Sequence, residues 1–354
     1  MIGIDLFAGA GGMSLGASNA GIDVQVVVEL DKHAAQTYLL NHKPKAGFYN
    51  GDIKHFDKIE LVNAKNEPTV LFGGPPCQGF STSNQKTRNV NNSNNWLFEE
   101  FLRVIRLYNP EWVVFENVKG ILETEQGKFA KAVIASLQLL GYKCEEDILN
   151  ASDYGVPQKR DRYFIVASRV VQNFSFPSKT TNSPVTVADA IQDLPKLDNG
   201  ANVCTRLYKS APVSSFSKLM RKGVSGNLCT NNLVTRNSPL IVERYSHIPQ
   251  GGNWENIPED LMCNYKDKSR CHTGIYKRLR SDMPSVVIGN YRKNMLIHPI
   301  ENRGLSVREA ARIQSFPDTF RFTGSIGFQQ QQVGNAVPPL LSESIFKQIM
   351  SNNG

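Results

Sequence analysis

Long apolar runs are absent from this sequence. No stretch of roughly 18 or more consecutive apolar residues occurs in the 354-residue chain, which argues against a membrane-spanning helix. The first five residues, MIGID, lack the basic start and the apolar stretch of a secretory signal peptide. We therefore expect a cytoplasmic protein with no membrane contact, large enough for one large domain or two ordinary ones.

Paired cysteines are absent as well. The six cysteines (77, 144, 204, 229, 263 and 271) contain no CxxC pair, which fits a reducing compartment and disfavours a disulfide scaffold or a zinc module. His272 beside Cys271 supplies only two adjacent ligands, so we expect no metal site.

Acidic residues are scarce in one part of the chain. Residues 196–300 hold 16 Lys and Arg against 7 Asp and Glu, whereas the rest holds 24 against 25. A segregated basic region suggests a polyanionic partner, most simply nucleic acid, although a solvated basic surface explains the charge equally well.

A short segment at 73–81, GGPPCQGFS, follows the apolar run 69–72, which is typical of a buried strand. Two glycines and two prolines make the backbone turn sharply after this strand. Cys77 stands in that turn, and a thiolate is a strong nucleophile near neutral pH. The pattern favours a reactive thiol over a buried free cysteine, because Pro-Pro-Cys has little reason to lie in a packed core.

The N-terminal residues predict a nucleoside-binding α/β fold. A strand over 1–7, a glycine turn over 9–12 and a helix over 13–20 form the first unit of a doubly wound sheet. Ser14 stands where the dinucleotide fingerprint needs glycine, which disfavours a nicotinamide dehydrogenase. The second strand ends in Glu29, suited to ribose hydroxyls, and the third ends near Asp52, suited to an adenine amino group. S-adenosylmethionine fits this pattern better than NAD.

The remaining pattern predicts further α/β elements and a second domain. The polar loop 81–95 is long enough to act as a mobile lid. Ser306 and Glu309 have capping-box spacing at the start of a helix over 305–314. We expect a second, smaller, irregular or β-leaning domain at 175–300. Further helices are predicted at 96–108, 129–140 and 340–350, and further strands at 112–115 and 163–167.

Six segments in this order resemble the DNA (cytosine-5) methyltransferase family, and the bacterial restriction-modification members in particular. They are DLFAGAGG at 5–12, PPCQGFS at 75–81, ENV at 116–118, QKRDR at 158–162, REAARIQSFPD at 308–318 and GNAV at 334–337. One departure is Val286, where related sequences often carry Thr after Pro-Ser; it puts at most a DNA contact in doubt.

The resemblance implies a catalytic and cofactor-binding domain at 1–174 completed by 301–354, and a DNA-binding target-recognition domain at 175–300.

The resemblance implies a catalytic set as well. Cys77 would add to C6 of cytosine, and Glu116, with a pKa raised by its surroundings, would protonate N3. Arg162 would donate to the cytosine O2 with support from Arg160; an ion pair with Asp161 or another nearby acid is the alternative for this arginine pair.

The resemblance also implies the ligands and partners. These are S-adenosyl-L-methionine, whose product is S-adenosyl-L-homocysteine, and double-stranded DNA bound by a monomer in the bacterial cytoplasm and nucleoid. A cognate restriction endonuclease would act on the same site without stable binding. The implied cofactor residues are Phe7, Gly9, Gly11, Glu29, Asp52, Ile53, Pro75, Leu97, Asn335 and Ala336, and the implied DNA or lid residues are Gln78, Ser81, Gln85 and Arg88.

Two alternatives stay open. One branch of the family uses the same chemistry on tRNA, but it tends to differ after Pro-Pro-Cys-Gln, so Gly79-Phe80-Ser81 and the basic region favour DNA. An inactive DNA-binding relative would lose its nucleophile or acid, whereas this chain keeps Cys77, Glu116 and Arg162.

Overall fold

The computed structural model describes residues 1–76, 96–181, 183–262, 274–289, 291 and 295–352. The chain forms two compact units. None of the helices in the described ranges has the length and apolar character needed to cross a membrane. The first unit comprises Met1–Tyr154, Asp161–Thr180 and Val337–Gly354, and the second comprises Gly155–Arg160 and Thr181–Ala336.

A seven-stranded sheet forms the centre of the first unit. Its strand order is β3-β2-β1-β4-β5-β7-β6. Strands β1 to β5 pair in parallel, whereas β7 is antiparallel to both β5 and β6. The central strands β1 and β4 are mostly apolar and every residue in them is buried, as parallel strands covered on both faces require. The strands are β1 Ile2–Leu6, β2 Asp23–Glu29, β3 Gly47–Asn50, β4 Thr69–Gly73, β5 Trp112–Val118, β6 Lys143–Asn150 and β7 Asp161–Ser168.

Helices of the first unit pack on this sheet and include the end of the chain. The last helix packs closely on the first: a Cβ at Gly16 would clash with Ser342 Oγ, so glycine is needed at this crossing. Phe346 of the last helix also meets Phe72 of β4, with 4.8 Å between ring centroids. The helices are α1 Gly12–Asn19, α2 Lys32–Asn41, α3 Trp96–Tyr108, α4 Gly120–Glu123, α5 Lys128–Leu139 and α11 Pro339–Ser351.

The second unit is irregular, with short helices and, within the residues described, one ribbon of two-residue strands. Its interior holds charge as well as apolar side chains: the guanidinium of buried Arg312 pairs with Asp193 at 2.6 Å and with Asp318 at 2.6 Å. Its elements are α6 Val187–Ile191, β8 Arg206–Leu207, α7 Ser215–Met220, β9 Leu228–Cys229, α8 Pro239–Ser246, α9 Val307–Ile313 and α10 Ile326–Asn335.

The expected fold class is confirmed: a doubly wound α/β sheet carries the N-terminal motifs. The predicted capping box at Ser306 and Glu309 is also present, because each side chain bonds the other residue's backbone N–H. Residues 301–336 pack with the second unit. The division into two compact units does not show which segment recognises DNA. The functional boundaries at 174 and 301 therefore stay a prediction.

Candidate functional site

The glycine turn after β1 places an acid beside open space. Both carboxylate oxygens of Glu29 accept backbone N–H groups, from Gly9 at 2.6 Å and from Asp31 at 2.7 Å. Burial raises the pKa of Glu29, while these backbone N–H donors act in the opposite direction. A Cβ at Gly9 would meet nothing within 4 Å, so a ligand can approach the backbone here. The fixed carboxylate with lone pairs left over suits the two hydroxyls of a ribose.

Three residues of this turn have left-handed backbone conformations. Phe7 has φ +58°, Gly9 +56° and Gly11 +93°. This conformation is uncommon for a bulky residue such as phenylalanine, and such outliers cluster at functional sites. At Gly11 a Cβ would lie 2.6 Å from His42 Nε2 and 2.8 Å from the Tyr38 ring, so no larger side chain fits.

A buried hydrogen-bonded chain lies beneath the turn. The Tyr38 hydroxyl donates to Ser14 Oγ at 2.8 Å, and Ser14 Oγ donates to Asp5 Oδ2 at 2.6 Å. Burial raises the pKa of Asp5 to about 8, with the Ser14 bond opposing the rise and the charge of Glu29 adding to it. Ser14 therefore ties α1 and α2 to β1, which a glycine in its place would not do.

The other residues of the first unit that were expected to bind the cofactor have varied surroundings. Asp52 Oδ1 accepts the Lys54 N–H at 3.0 Å and so caps a 3₁₀ turn. Ile53 is part of the buried core of this unit, and Leu97 packs against that core. Leu30 follows Glu29 directly, and its apolar side chain is 69% exposed. The sequence analysis assigned no role to Leu30, because only its position between two acidic residues distinguishes it in the sequence.

The clearest pairing of expected catalytic residues joins β5 and β7. Arg162 Nε lies 2.9 Å from Glu116 Oε1, and both side chains are largely buried. The antiparallel register sets Val118 opposite Arg162, two residues along from Glu116, so both side chains are on one face. Burial lowers the pKa of Arg162, and the charge of Glu116 counters this effect. The alternative for Arg162, an ion pair with a nearby acid, is therefore present in the structure. Its bond to the cytosine O2 stays a prediction.

The same carboxylate lies against the turn that follows β4. A Cβ at Gly74 would be 2.5 Å from Glu116 Oε2, so only glycine allows this approach. Asn117 Nδ2 donates to the carbonyl of buried Pro75 at 3.1 Å, which holds the turn to β5. Cys77 follows two residues later; Cys77, Gln78, Ser81, Gln85 and Arg88 lie outside the described residues.

Arg160, Asn335 and Ala336 belong to the second unit. Arg160 is buried and donates to the carbonyls of Gly334 at 3.0 Å and of Ala336 at 3.1 Å. Asn335 ends α10 with an exposed side chain. Support of Arg162 by Arg160 stays a prediction. In the described ranges, no three His, Cys, Asp or Glu residues are grouped as metal ligands.

Comparison with known proteins identifies the family. The model of the C-5 cytosine-specific DNA methylases matches residues 1–351. The type II methyltransferase M1.HphI of Haemophilus parahaemolyticus is 36% identical, covering 99% of this chain and 87% of the relative. The type II methyltransferase M.DdeI of Desulfomicrobium norvegicum is 35% identical, covering 98% and 88%.

A solved structure agrees with the sequence relatives. The crystal structure of a candidate DNA modification methyltransferase from an Escherichia coli prophage superposes with a TM-score of 0.77 at 28% identity, covering 100% of both chains. With the family model spanning almost the whole sequence, the chain belongs to the C-5 cytosine-specific DNA methylases.

Proposed function

We propose that this chain is a sequence-specific DNA (cytosine-5) methyltransferase. It would transfer a methyl group from S-adenosyl-L-methionine to C5 of a cytosine rotated out of duplex DNA. The observation that carries the proposal is the Glu116–Arg162 ion pair, whose carboxylate touches Gly74 in the turn leading to Cys77. An acid and a cation are the groups that this reaction needs besides the thiolate, and the acid lies against Gly74, three residues before Cys77 in the sequence.

The thiolate of Cys77 activates the target carbon. C5 of cytosine is a weak nucleophile, and addition of the thiolate at C6 converts the ring into an enamine whose C5 attacks electrophiles. The cofactor, when bound, supplies an electrophilic methyl group on a positively charged sulfur. Loss of the C5 proton to a base then lets the Cys77–C6 bond break, which releases 5-methylcytosine and the thiolate.

Glu116 and Arg162 act on the polar edge of the cytosine. Addition at C6 moves electron density toward N3, where Glu116 would donate a proton. Arg162 carries several N–H donors, and its Nε bond to Glu116 leaves others for the cytosine O2. An arginine beside Glu116 favours the ionised carboxylate, whereas burial favours the neutral acid; the raised pKa of Glu116 stays a prediction.

The N-terminal turn is suited to hold the cofactor. Glu29 would accept the ribose hydroxyls, since backbone N–H groups already fix the orientation of its carboxylate. Phe7 would stack on the adenine, and the open space at Gly9 admits the ligand close to the backbone. The remaining proposed cofactor residues are Gly11, Asp52, Ile53, Pro75, Leu97, Asn335 and Ala336.

Duplex DNA is the proposed macromolecular partner. Because C5 is inaccessible within a stacked helix, the cytosine must be rotated out of it. The segment 81–95, with Ser81, Gln85 and Arg88, would close over it next to Gln78. The basic residues of 175–300 would divide between phosphate contacts and base reading. We further propose a monomer, associated with the nucleoid through DNA, that protects host DNA from a restriction enzyme.

The direct test is transfer of a labelled methyl group from S-adenosyl-L-methionine. We expect wild-type protein to label unmethylated duplex DNA and not tRNA. The Cys77→Ser variant should bind DNA yet show no turnover, since serine is not ionised near neutral pH and adds poorly to C6. Labelling of tRNA alone, or full activity in Cys77→Ser, would refute the proposal.

A further inference from the structure

Two buried glutamines of the second unit form a directed chain of hydrogen bonds. The Ile288 N–H donates to Gln158 Oε1 at 2.7 Å, and Gln158 Nε2 donates to Gln314 Oε1 at 2.9 Å. Gln314 Nε2 in turn donates to the Val333 carbonyl at 2.9 Å. Both glutamines are fully buried. We call Gln158 and Gln314 the glutamine relay.

The relay needs amide chemistry at both positions. Each side chain accepts on its oxygen and donates from its nitrogen, so the donor direction runs one way from residue 288 to residue 333. A carboxylate keeps the acceptor but loses the donor, and an apolar side chain loses both. Because both side chains are fully buried, an interrupted link leaves a buried polar group without a partner.

The relay joins segments that are distant in the sequence. Residues 157–159 hold the strip 285–288, with Ser285 N–H donating to the Pro157 carbonyl at 2.9 Å and Lys159 N–H donating to the Ser285 carbonyl at 2.8 Å. Gln314 follows α9, and residues 333–336 end α10. Arg160 links the same two segments as the relay, because its guanidinium donates to the carbonyls of Ile288, Gly334 and Ala336.

The end of α10 is therefore held by two further contacts, one from Arg160 and one from Gly289. The Arg160 cation faces carbonyls at a helix C-terminus, where positive charge is favourable. The backbone at Gly334 also approaches the Gly289 carbonyl so closely that a Cβ would clash. Because these contacts hold the end of α10, they also fix the backbone that carries the exposed Asn335 side chain.

We propose that Gln158 and Gln314 are positioning residues that set the conformation of the 333–336 turn against the strip 285–288. This inference rests on the proposed function, in which Asn335 and Ala336 of that turn contact the cofactor. Both relay side chains are fully buried, so we assign them no direct contact with cofactor or DNA. Its effect on binding passes through the backbone of the turn.

The test replaces one amide by a carboxylate. Gln314→Glu keeps the acceptor for Gln158 but loses the donor to Val333, and we expect the Kd for S-adenosylhomocysteine to rise about three- to tenfold by calorimetry on the full chain at pH 8. At pH 6 the effect should shrink, because a buried carboxyl is partly protonated there and can donate again. Amide hydrogen exchange at 334–337 in the ligand-free variant should be faster than in wild type.

Gln329→Glu is the matched control. Gln329 is also buried, and its side chain accepts from Asn231 and donates to the Gly324 carbonyl, so neither of these side-chain bonds reaches 285–288 or 333–336. It should lose stability without a change in Kd. If Gln314→Glu does not fold, Gln158→Glu interrupts the middle link and should give the same rise in Kd.

The outcomes separate the relay from the proposed function. Wild-type binding with an unchanged Kd in the folded relay variants would overturn the relay alone. An equal rise in Gln329→Glu would also overturn it, since the effect would then be general loss of stability. A wild-type protein that binds no S-adenosylhomocysteine would overturn both proposals.

Discussion

At the scale of single residues, the site depends on close approaches that only small side chains permit. Glu116 touches Gly74 on one side and pairs with Arg162 on the other. The sequence predicted both charged residues from their motifs, but it did not pair them. Their contact depends on the antiparallel register of β5 and β7, which join residues far apart in the chain.

Gly74→Ala tests this close approach. The added methyl group would lie 2.5 Å from Glu116 Oε2, so the carboxylate must shift from its place beside Gly74. We expect kcat for methyl transfer to fall at least about tenfold, because displacements near 1 Å in such sites are costly. Gly304→Ala is the control, since its nearest contact is an ordinary 3.7 Å. Equal activity of the two variants would contradict the assigned geometry.

At the scale of elements, periodicity was a good guide where helices are amphipathic. The helix predicted at 96–108 is α3, Trp96–Tyr108. In contrast, α2 and α10 were missed. Asp31 caps α2 by accepting the N–H groups of His33 and Ala34, a signal visible in the sequence but weak without an apolar period. The helix α10 contains four consecutive glutamines, three of them buried, which no polar-outside pattern predicts.

The buried Asp5 carboxyl beneath the glycine turn should make the stability of the protein depend on pH. Because the pKa of Asp5 is raised to about 8 in the folded state, the folded protein binds one more proton than the unfolded chain between about pH 4 and pH 8. This group therefore lowers the free energy of unfolding by about 1.4 kcal/mol for each pH unit of rise in that interval.

Asp5→Asn removes this titration. Its free energy of unfolding relative to wild type should increase from pH 5 to pH 8, as measured by urea unfolding at several pH values. A difference that stays constant across this interval would show that Asp5 is ionised in the folded protein.

At the scale of the whole molecule, the charge excess and the irregular composition of 175–300 predicted a second domain, and the structure contains a second compact unit. The sequence could not predict that residues 301–336 pack with it. Their cohesion comes from long-range ion pairs such as Arg312 with Asp193, which local patterns do not encode. Similarly, the antiparallel β7 follows from tertiary pairing and not from its own residues.

Arg312→Leu should destabilise the second unit strongly. The change leaves Asp193 and Asp318 buried without their main cation, a situation that costs on the order of 3–5 kcal/mol. Arg280→Leu is the control, because Arg280 pairs with Asp282 at the exposed surface and should leave the free energy of unfolding nearly unchanged. Similar unfolding midpoints for the two variants would contradict a structural role for the buried network.

The central claim is that this family member methylates cytosine in DNA at a defined sequence. Bisulfite sequencing of DNA from a methylation-free host that expresses the chain tests it most directly. We predict protected cytosines within one short recurring sequence, and none in a host that expresses Cys77→Ser. Folded wild-type protein that leaves every cytosine convertible would contradict the claim and would make RNA the next substrate to assay.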